Sequence, residues 1–222
     1  MSRLYLLGGE DVGKRSSRHI MLKAVKEAGA HPTVLIFPWT GESLDNEGEQ
    51  RALITEYFMD LGAETVQFAE PWDPYGALMK KARSSDIVYL PGGNPQLLID
   101  RMLISRGDEI LAEFRGTVIG NSAGALALCR KYAAVVGQKD AQETRFFRGF
   151  GELDFAVTVH YMSDDDTLAG ISPDSELESL SEKSATKIYA ISDNSALVYE
   201  KGKLEFIGYV FQFHRGNRTR CL

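Results

Sequence analysis

The chain has 222 residues, 44% of them hydrophobic, with two cysteines and a formal net charge of −6. That length and apolar content suffice for one substantial core, so a single domain over residues 1–222 is the expectation. The acidic balance argues against a nucleic-acid or anionic-membrane partner, and Cys129 and Cys221 are too few and too far apart for a metal cluster or a disulfide framework.

The N-terminal apolar run over 4–7 stops at Gly8-Gly9, too short for a signal-peptide core or a membrane span, so a cytoplasmic location is expected. From there strand-like runs at 4–7, 33–37, 65–68, 87–90 and 117–119 alternate with helix-period segments at 17–28, 47–61, 75–82, 95–104 and 123–131. Several strands read as continuous Val/Ile/Leu/Phe runs with little polar alternation, the pattern of a parallel sheet covered by helices on both faces. This predicts an α/β fold, a three-layer α/β/α sandwich around a mostly parallel open sheet. After about residue 132 short strands follow at 133–136, 155–159, 187–191, 196–199 and 204–210. A hairpin turn over Tyr199-Glu200-Lys201-Gly202-Lys203-Leu204 joins the last two, so an antiparallel C-terminal extension of the sheet is predicted. The polar segment 163–182, with Asp164-Asp165-Asp166, lacks calcium-loop spacing and reads as a solvated loop and helix over the mouth of the site.

In open α/β sheets the ligand crevice lies at the carboxyl ends of the strands. The loops there are Gly8-Gly9-Glu10, Pro38-Trp39-Thr40, Pro91-Gly92-Gly93-Asn94 and Gly120-Asn121-Ser122-Ala123-Gly124-Ala125. The first, continued to Gly13-Lys14-Arg15, nearly spells a phosphate-binding loop. Arg15, however, stands where a magnesium-binding hydroxyl belongs, and Glu10 and Asp11 would face the phosphates, so nucleotide chemistry is set aside. The last joins a strand to an Ala/Leu-rich helix through a serine flanked by small residues, the pattern of a nucleophile elbow. A serine at such a corner also serves as a plain helix cap, and a nearby base distinguishes the two.

Four histidines compete for that role. His19 lies mid-helix, His31 in a helix-to-strand turn and His214 in the C-terminal strand or tail, whereas His160 ends the strand at 155–159 and leans over the crevice. The carboxylate that orients it is sought between serine and histidine. Glu152 and Asp154 lie too close along the strand to reach back, so Asp140, in the loop before His160, is chosen, with Glu143 as the alternative. The backbone N–H groups of Ala123 and Gly93 are the candidate oxyanion donors, Gly93 because its glycine pair precedes a helix opening with Pro95. Such chemistry needs no metal and no cofactor.

With these pieces assembled, the chain resembles the serine peptidase family of dipeptidase E (aspartyl dipeptidase) and cyanophycinase, related in fold to class I glutamine amidotransferases. The resemblance covers most of the chain. It rests on Pro91-Gly92-Gly93-Asn94, the Ser122 elbow, Val159-His160-Tyr161 and Ile191-Ser192-Asp193-Asn194-Ser195 in that order and spacing. It implies Ser122 as nucleophile, His160 as base, and Gly93 with Ala123 as oxyanion donors. The amidotransferase relatives place a cysteine at the elbow and a His-x-Glu pair; Ser122 and His160-Tyr161-Met162 depart from both. Val159 and Asp164-Asp165-Asp166 stand where the cyanophycinase branch carries a glutamine and an arginine-rich segment, which disfavours polymer cleavage.

The implied activity is a dipeptidase-like serine exopeptidase acting on short peptides, with Asp-X dipeptides as one substrate. Asn94 and Arg148 are candidate substrate contacts, Arg145 and Lys139 further cations for an acidic side chain. An esterase or amidase on the same triad, or a silent small-molecule binding domain, are the competing readings. A small peptide is the expected partner and a monomer or homodimer the expected state.

Overall fold

The computed structural model describes residues 2–42, 47–137, 143–162 and 173–222. Its first half builds the predicted βα repeat: β1 (Arg3–Leu7), α1 (Arg18–Ala28), β2 (Thr33–Ile36), α2 (Glu47–Asp60), β3 (Thr65–Phe68), α3 (Tyr75–Arg83), β4 (Ile87–Leu90), α4 (Pro95–Ile104), α5 (Gly107–Glu113) and β5 (Thr117–Asn121). β1, β5, β4, β2 and β3 lie side by side in parallel. Every residue of β4 and β5 is buried, which is why neither alternates polar with apolar.

Successive side chains of a strand point to opposite faces, so each strand feeds two cores. Tyr5 and Leu7 pack with Ile20, Met21 and Val25 of α1 and with Tyr57 and Phe58 of α2. Leu6 faces the other way, into the core that holds Leu78 of α3, Leu98 of α4 and Ile110 of α5. Leu98 is fully buried there, so Leu98→Ala leaves a cavity that neighbours refill only partly. That variant is expected to lose about 2–5 kcal/mol of stability, read as a lowered urea midpoint at unchanged slope.

The second half continues with α6 (Ala123–Ala127), β6 (Cys129–Val136), β7 (Glu143–Arg148), β8 (Leu153–Thr158), α7 (Asp174–Ser184), β9 (Ile188–Ile191), β10 (Ala196–Glu200), β11 (Lys203–Ile207), β12 (Val210–His214) and β13 (Asn217–Arg220). β10 pairs antiparallel with β1 and β11 with β10, completing a seven-stranded, mostly parallel sheet with an antiparallel extension, as predicted. The fold class is thus mixed α/β.

The remaining strands depart from the expectation. Instead of extending the first sheet they form a second one, in the order β13-β12-β9-β8-β6-β7, in which β6, β8 and β9 run parallel. The run expected as one strand over 204–210 splits between the sheets: β11 stays in the first, β12 joins β9 in the second, and Gly208 turns the chain between them. The helix expected over 123–131 ends at Ala127. Its Ala127 carbonyl is taken by the N–H groups of Phe150 and Gly151 at 3.1 and 3.2 Å, and the chain from Cys129 onward finds strand partners in β7 and β8. Two ready partners outweigh the helical propensity of an Ala/Leu segment.

One face of the second sheet shares a core with the first. Tyr132, Phe155, Val157 and Tyr189 pack in the cluster that holds Leu6 and Leu197. Phe155 meets Tyr199 across the interface at 6.1 Å between ring centroids, and Tyr189 meets Phe206 at 5.8 Å. α7 covers the other face, Leu177 packing with Ala133, Ala156, Ile188 and Phe213. This docking brings the carboxyl ends of β8 and β9 against the end of β1. Backbone bonds of 3.0 Å lock the junction: His160 N–H to Gly8 O, Gly8 N–H to Ser195 O, and Asn194 N–H to Gly9 O. Among the described residues no helix is long and apolar enough to cross a membrane.

Candidate active site

Ser122 stands at the turn from β5 into α6 with φ 48° and ψ −106°, a conformation that costs a non-glycine residue on the order of 1–3 kcal/mol. Tertiary contacts impose it. The Ser122 N–H donates to Leu7 O at 3.1 Å, and the Ser122 carbonyl accepts from Leu126 N–H at 3.0 Å. The flanking glycines are required by contact: a Cβ at Gly120 would lie 2.6 Å from the Gly124 backbone, and one at Gly124 would lie 2.2 Å from Leu90 O. Packing, and not only turn flexibility, therefore explains the Gly-x-Ser-x-Gly spacing.

His160 follows β8 and is itself in the left-handed region, φ 55°. Its Nε2 lies 2.7 Å from Ser122 Oγ, and its Nδ1 lies 2.7 Å from Asp193 Oδ1. An Nδ1–H donated to the Asp193 carboxylate leaves Nε2 unprotonated toward the serine hydroxyl, the tautomer a general base requires. Serine comes from the end of one sheet, histidine and aspartate from the ends of two parallel strands of the other.

Among the described residues the carboxylate hydrogen-bonded to the imidazole is Asp193, whereas the sequence favoured Asp140. Asp140 lies outside the described residues, as does Lys139. The alternative, Glu143, sits exposed on β7 and pairs with Arg145 at 2.6 Å. A search confined to the segment between serine and histidine does not reach Asp193. The available signal was positional: Asp193 stands two residues past the end of β9 (193 − 191 = 2), as His160 stands two past the end of β8 (160 − 158 = 2), and the two strands pair in parallel.

Gly9 explains the glycine pair that imitates a phosphate loop. A Cβ there would fall 2.2 Å from Asp193 Oδ1 and 2.5 Å from His160 Cε1, so the His–Asp pair occupies the space a side chain would need. Buried Ser17, at the start of α1, places its hydroxyl 3.3 Å from Asn194 Oδ1 beside the same turn. Lys14 extends outward to Asp11 at 3.0 Å. Gly9→Ala is expected to cost about 100-fold or more in kcat by displacing the imidazole, with circular dichroism reporting whether the chain still folds.

The glycine turn after β4 reaches the nucleophile. A Cβ on Gly92 would stand 3.5 Å from Ser122 Cβ and the same distance from Asn121 Nδ2. Thr40 supports this turn, its hydroxyl donating to Gly92 O at 2.7 Å and its carbonyl accepting from Asn94 N–H at 3.1 Å. Gly93 takes φ +130° with Thr40 packed against it, and Ala123 is buried at the first position of α6. Asn94 is used locally: its Oδ1 caps α4, accepting from Gln96 N–H at 2.9 Å and Leu97 N–H at 3.2 Å. Arg148 is exposed on β7, paired across from Lys131, and is absent from the lining of the cavity at Ser122.

That cavity has a volume of about 860 Å³. Ser122 and His160 form part of its wall; Val12, Leu53, Ile54, Phe68, Leu126 and Val159 make much of the rest apolar. Glu10 also lines it. Its Oε1 accepts from the Tyr57 hydroxyl at 2.5 Å, and burial pushes its carboxyl above the usual carboxylate range against the opposing pull of Tyr57 and of the Ser17 N–H.

A strained elbow serine, hydrogen-bonded to a histidine that a carboxylate backs, on a mixed α/β scaffold, is the arrangement of a serine hydrolase. The model of Peptidase family S51 matches residues 4–207, nearly the whole chain. The chain belongs to that family and is a serine-type peptidase, as its motifs had suggested. Among solved structures it is similar to a peptidase from an acI-B1 Actinobacterium, at 18% identity and a TM-score of 0.67, covering 100% of this chain and 97% of the other. It is also similar to a candidate peptidase E of Listeria monocytogenes EGD-e, at 19% identity and a TM-score of 0.61, covering 93% and 98%. No curated protein matches it by sequence.

Proposed function

We propose that the protein is an exopeptidase that hydrolyses short peptides through an acyl-enzyme on Ser122. The observation that carries this reading is the continuous relay from Ser122 Oγ through the His160 ring to Asp193, 2.7 Å at each step, at the wall of the cavity. As Ser122 Oγ attacks the scissile carbonyl, His160 Nε2 takes its proton, and the Asp193 carboxylate stabilises the resulting imidazolium. The carbonyl oxygen, now an anion, is held by the N–H groups of Ala123 and Gly93. Collapse of the tetrahedral intermediate expels the amine, which receives the proton from Nε2. Water then repeats the sequence on the acyl-serine and regenerates the enzyme.

Substrate length follows from enclosure. A volume of about 860 Å³ lies within the range of small-ligand pockets, roughly 300–1,000 Å³, and suits a few residues better than an extended polypeptide. Incubating the protein with di- to hexapeptides, a folded protein substrate and p-nitrophenyl acetate, with products read by mass spectrometry, tests this. Release of single terminal residues from the shortest peptides is expected. Internal cuts in long chains would overturn the exopeptidase reading, and turnover of the ester alone would favour an esterase.

A further inference from the structure

The turn that carries His160 is strained twice. His160 has φ 55° and Met162 has φ 57°, with Tyr161 between them. Neither strained residue is a glycine, so this backbone is unfavourable in isolation and persists only where the surroundings impose it. Main-chain bonds impose part of it: His160 N–H donates to Gly8 O at 3.0 Å and Tyr161 N–H to Ile191 O at 3.2 Å. Both bonds lie on the entry side of the turn, before Met162. The exit is gripped through side chains.

Tyr161 is 2% exposed, its ring against Phe211 and Phe213 at 5.4 and 5.9 Å between centroids. A phenylalanine would fill that space equally well. The hydroxyl instead donates to Asp174 Oδ1 at 2.5 Å, at the first residue of α7. Burial and the Asp174 carboxylate both push the phenol pKa up, so the group stays a donor. Asp174 Oδ2 accepts in turn from Arg218 Nη1 at 3.3 Å. Arg218 stands opposite Phe213 in the β12–β13 register and therefore on the same face of the sheet. Its guanidinium lies 4.2 Å from the Phe211 ring centre and 5.7 Å from that of Tyr161, and its Nη2 donates to Met162 Sδ at 3.7 Å.

Helix α7 and strand β13, neither of which carries a triad residue, thus converge on the two residues that follow His160. That grip reaches the chemistry through the backbone. The imidazole has to keep Ser122 Oγ on one nitrogen and Asp193 Oδ1 on the other, each at 2.7 Å, and the φ of His160 sets the direction in which its ring leaves the chain. If Tyr161 shifts, the peptide it shares with His160 rotates and the ring swings off one partner or both. A displacement of about 1 Å at a reacting group costs on the order of 100-fold in rate, so a tether one residue away has leverage on turnover.

Resting on the triad reading, we infer that Tyr161 is a positioning residue: its hydroxyl, held by Asp174 with Arg218, fixes the turn that aims His160 at Ser122. The test follows labelling of Ser122 in the full chain by a fluorophosphonate, separating the maximal rate from the half-saturating probe concentration, with urea unfolding to establish that each variant is folded. Tyr161→Phe, which keeps the ring, and Asp174→Ala are each expected to lower the maximal rate about tenfold at a half-saturating concentration within about twofold of the parent. Because both break the same bond, the double variant is expected to lose no more than either single one. A merely structural hydroxyl would lower the urea midpoint and leave the rate of the folded protein alone. With the parent labelled, a single variant within twofold of the parental rate, a loss confined to half-saturation, or losses that multiply in the double variant would overturn the inference and leave the triad standing. A parent that is not labelled would overturn both. Asp174 is half-exposed, so Asp174→Ala decides the matter even where Tyr161→Phe does not fold.

Discussion

Ser122→Ala is expected to lower peptide turnover on the order of 10⁴- to 10⁶-fold and to abolish labelling of the intact protein by a fluorophosphonate. On the proposed mechanism the loss is large because the covalent route itself disappears: the proposed oxyanion donors and the cavity remain, but the hydroxyl proposed to form the acyl bond is gone. Substrate should still bind, since the hydroxyl contributes little to the ground state, so the deficit belongs in kcat and not in KM. The strained φ of 48° adds a second readout. Alanine at this position inherits the same backbone angle, and the 3.1 Å bond from its N–H to Leu7 O is independent of the side chain, so stability should be close to that of the parent. Residual turnover within tenfold of the parent would remove Ser122 from the mechanism.

Asp193→Asn is expected to lower kcat about 10⁴-fold, whereas Asp140→Asn should leave it within about threefold. A carboxamide at 193 has nearly the same shape and can still approach His160 Nδ1, but it supplies no charge to balance the imidazolium. It can also donate to Nδ1, which forces the proton onto Nε2 and leaves the serine facing a donor instead of a base. The 2.7 Å contact between His160 Nδ1 and Asp193 Oδ1 is what gives position 193 this leverage. Steady-state kinetics on the two variants, with denaturant unfolding to establish that both fold, separates the assignments. A collapse of activity in Asp140→Asn with Asp193→Asn unaffected would restore the carboxylate favoured from the sequence.

The parts of the site that could be read directly are those whose chemistry is local. Gly120, Ser122 and Gly124 announce a tight corner because a strand, a serine and two contact-limited residues follow one another within a few positions, and His160 announces itself by ending a strand. Asn94 shows the limit of such reading. It was a candidate substrate contact, but Pro95 begins a helix immediately after it, and the capping demand of that helix claims the side-chain oxygen. Gly9 was legible as a glycine in a turn, yet the reason for it is a pair of side chains more than 150 residues away in sequence (160 − 9 = 151).

The sequence by itself determined the βα repeat, the buried parallel strands, the elbow and the serine–histidine pairing, because hydrophobic periodicity and the steric limits of a tight turn act over a few neighbouring residues. Tertiary structure alone decided that Cys129–Val136 leaves the helix for a strand, that β6, β8 and β9 build a second sheet, and that Asp193 meets the imidazole. Those outcomes depend on which strand ends a second sheet brings beside Gly8 and Gly9. Strand pairing of that kind is settled by the combined burial of distant segments, a quantity no local window of the chain contains.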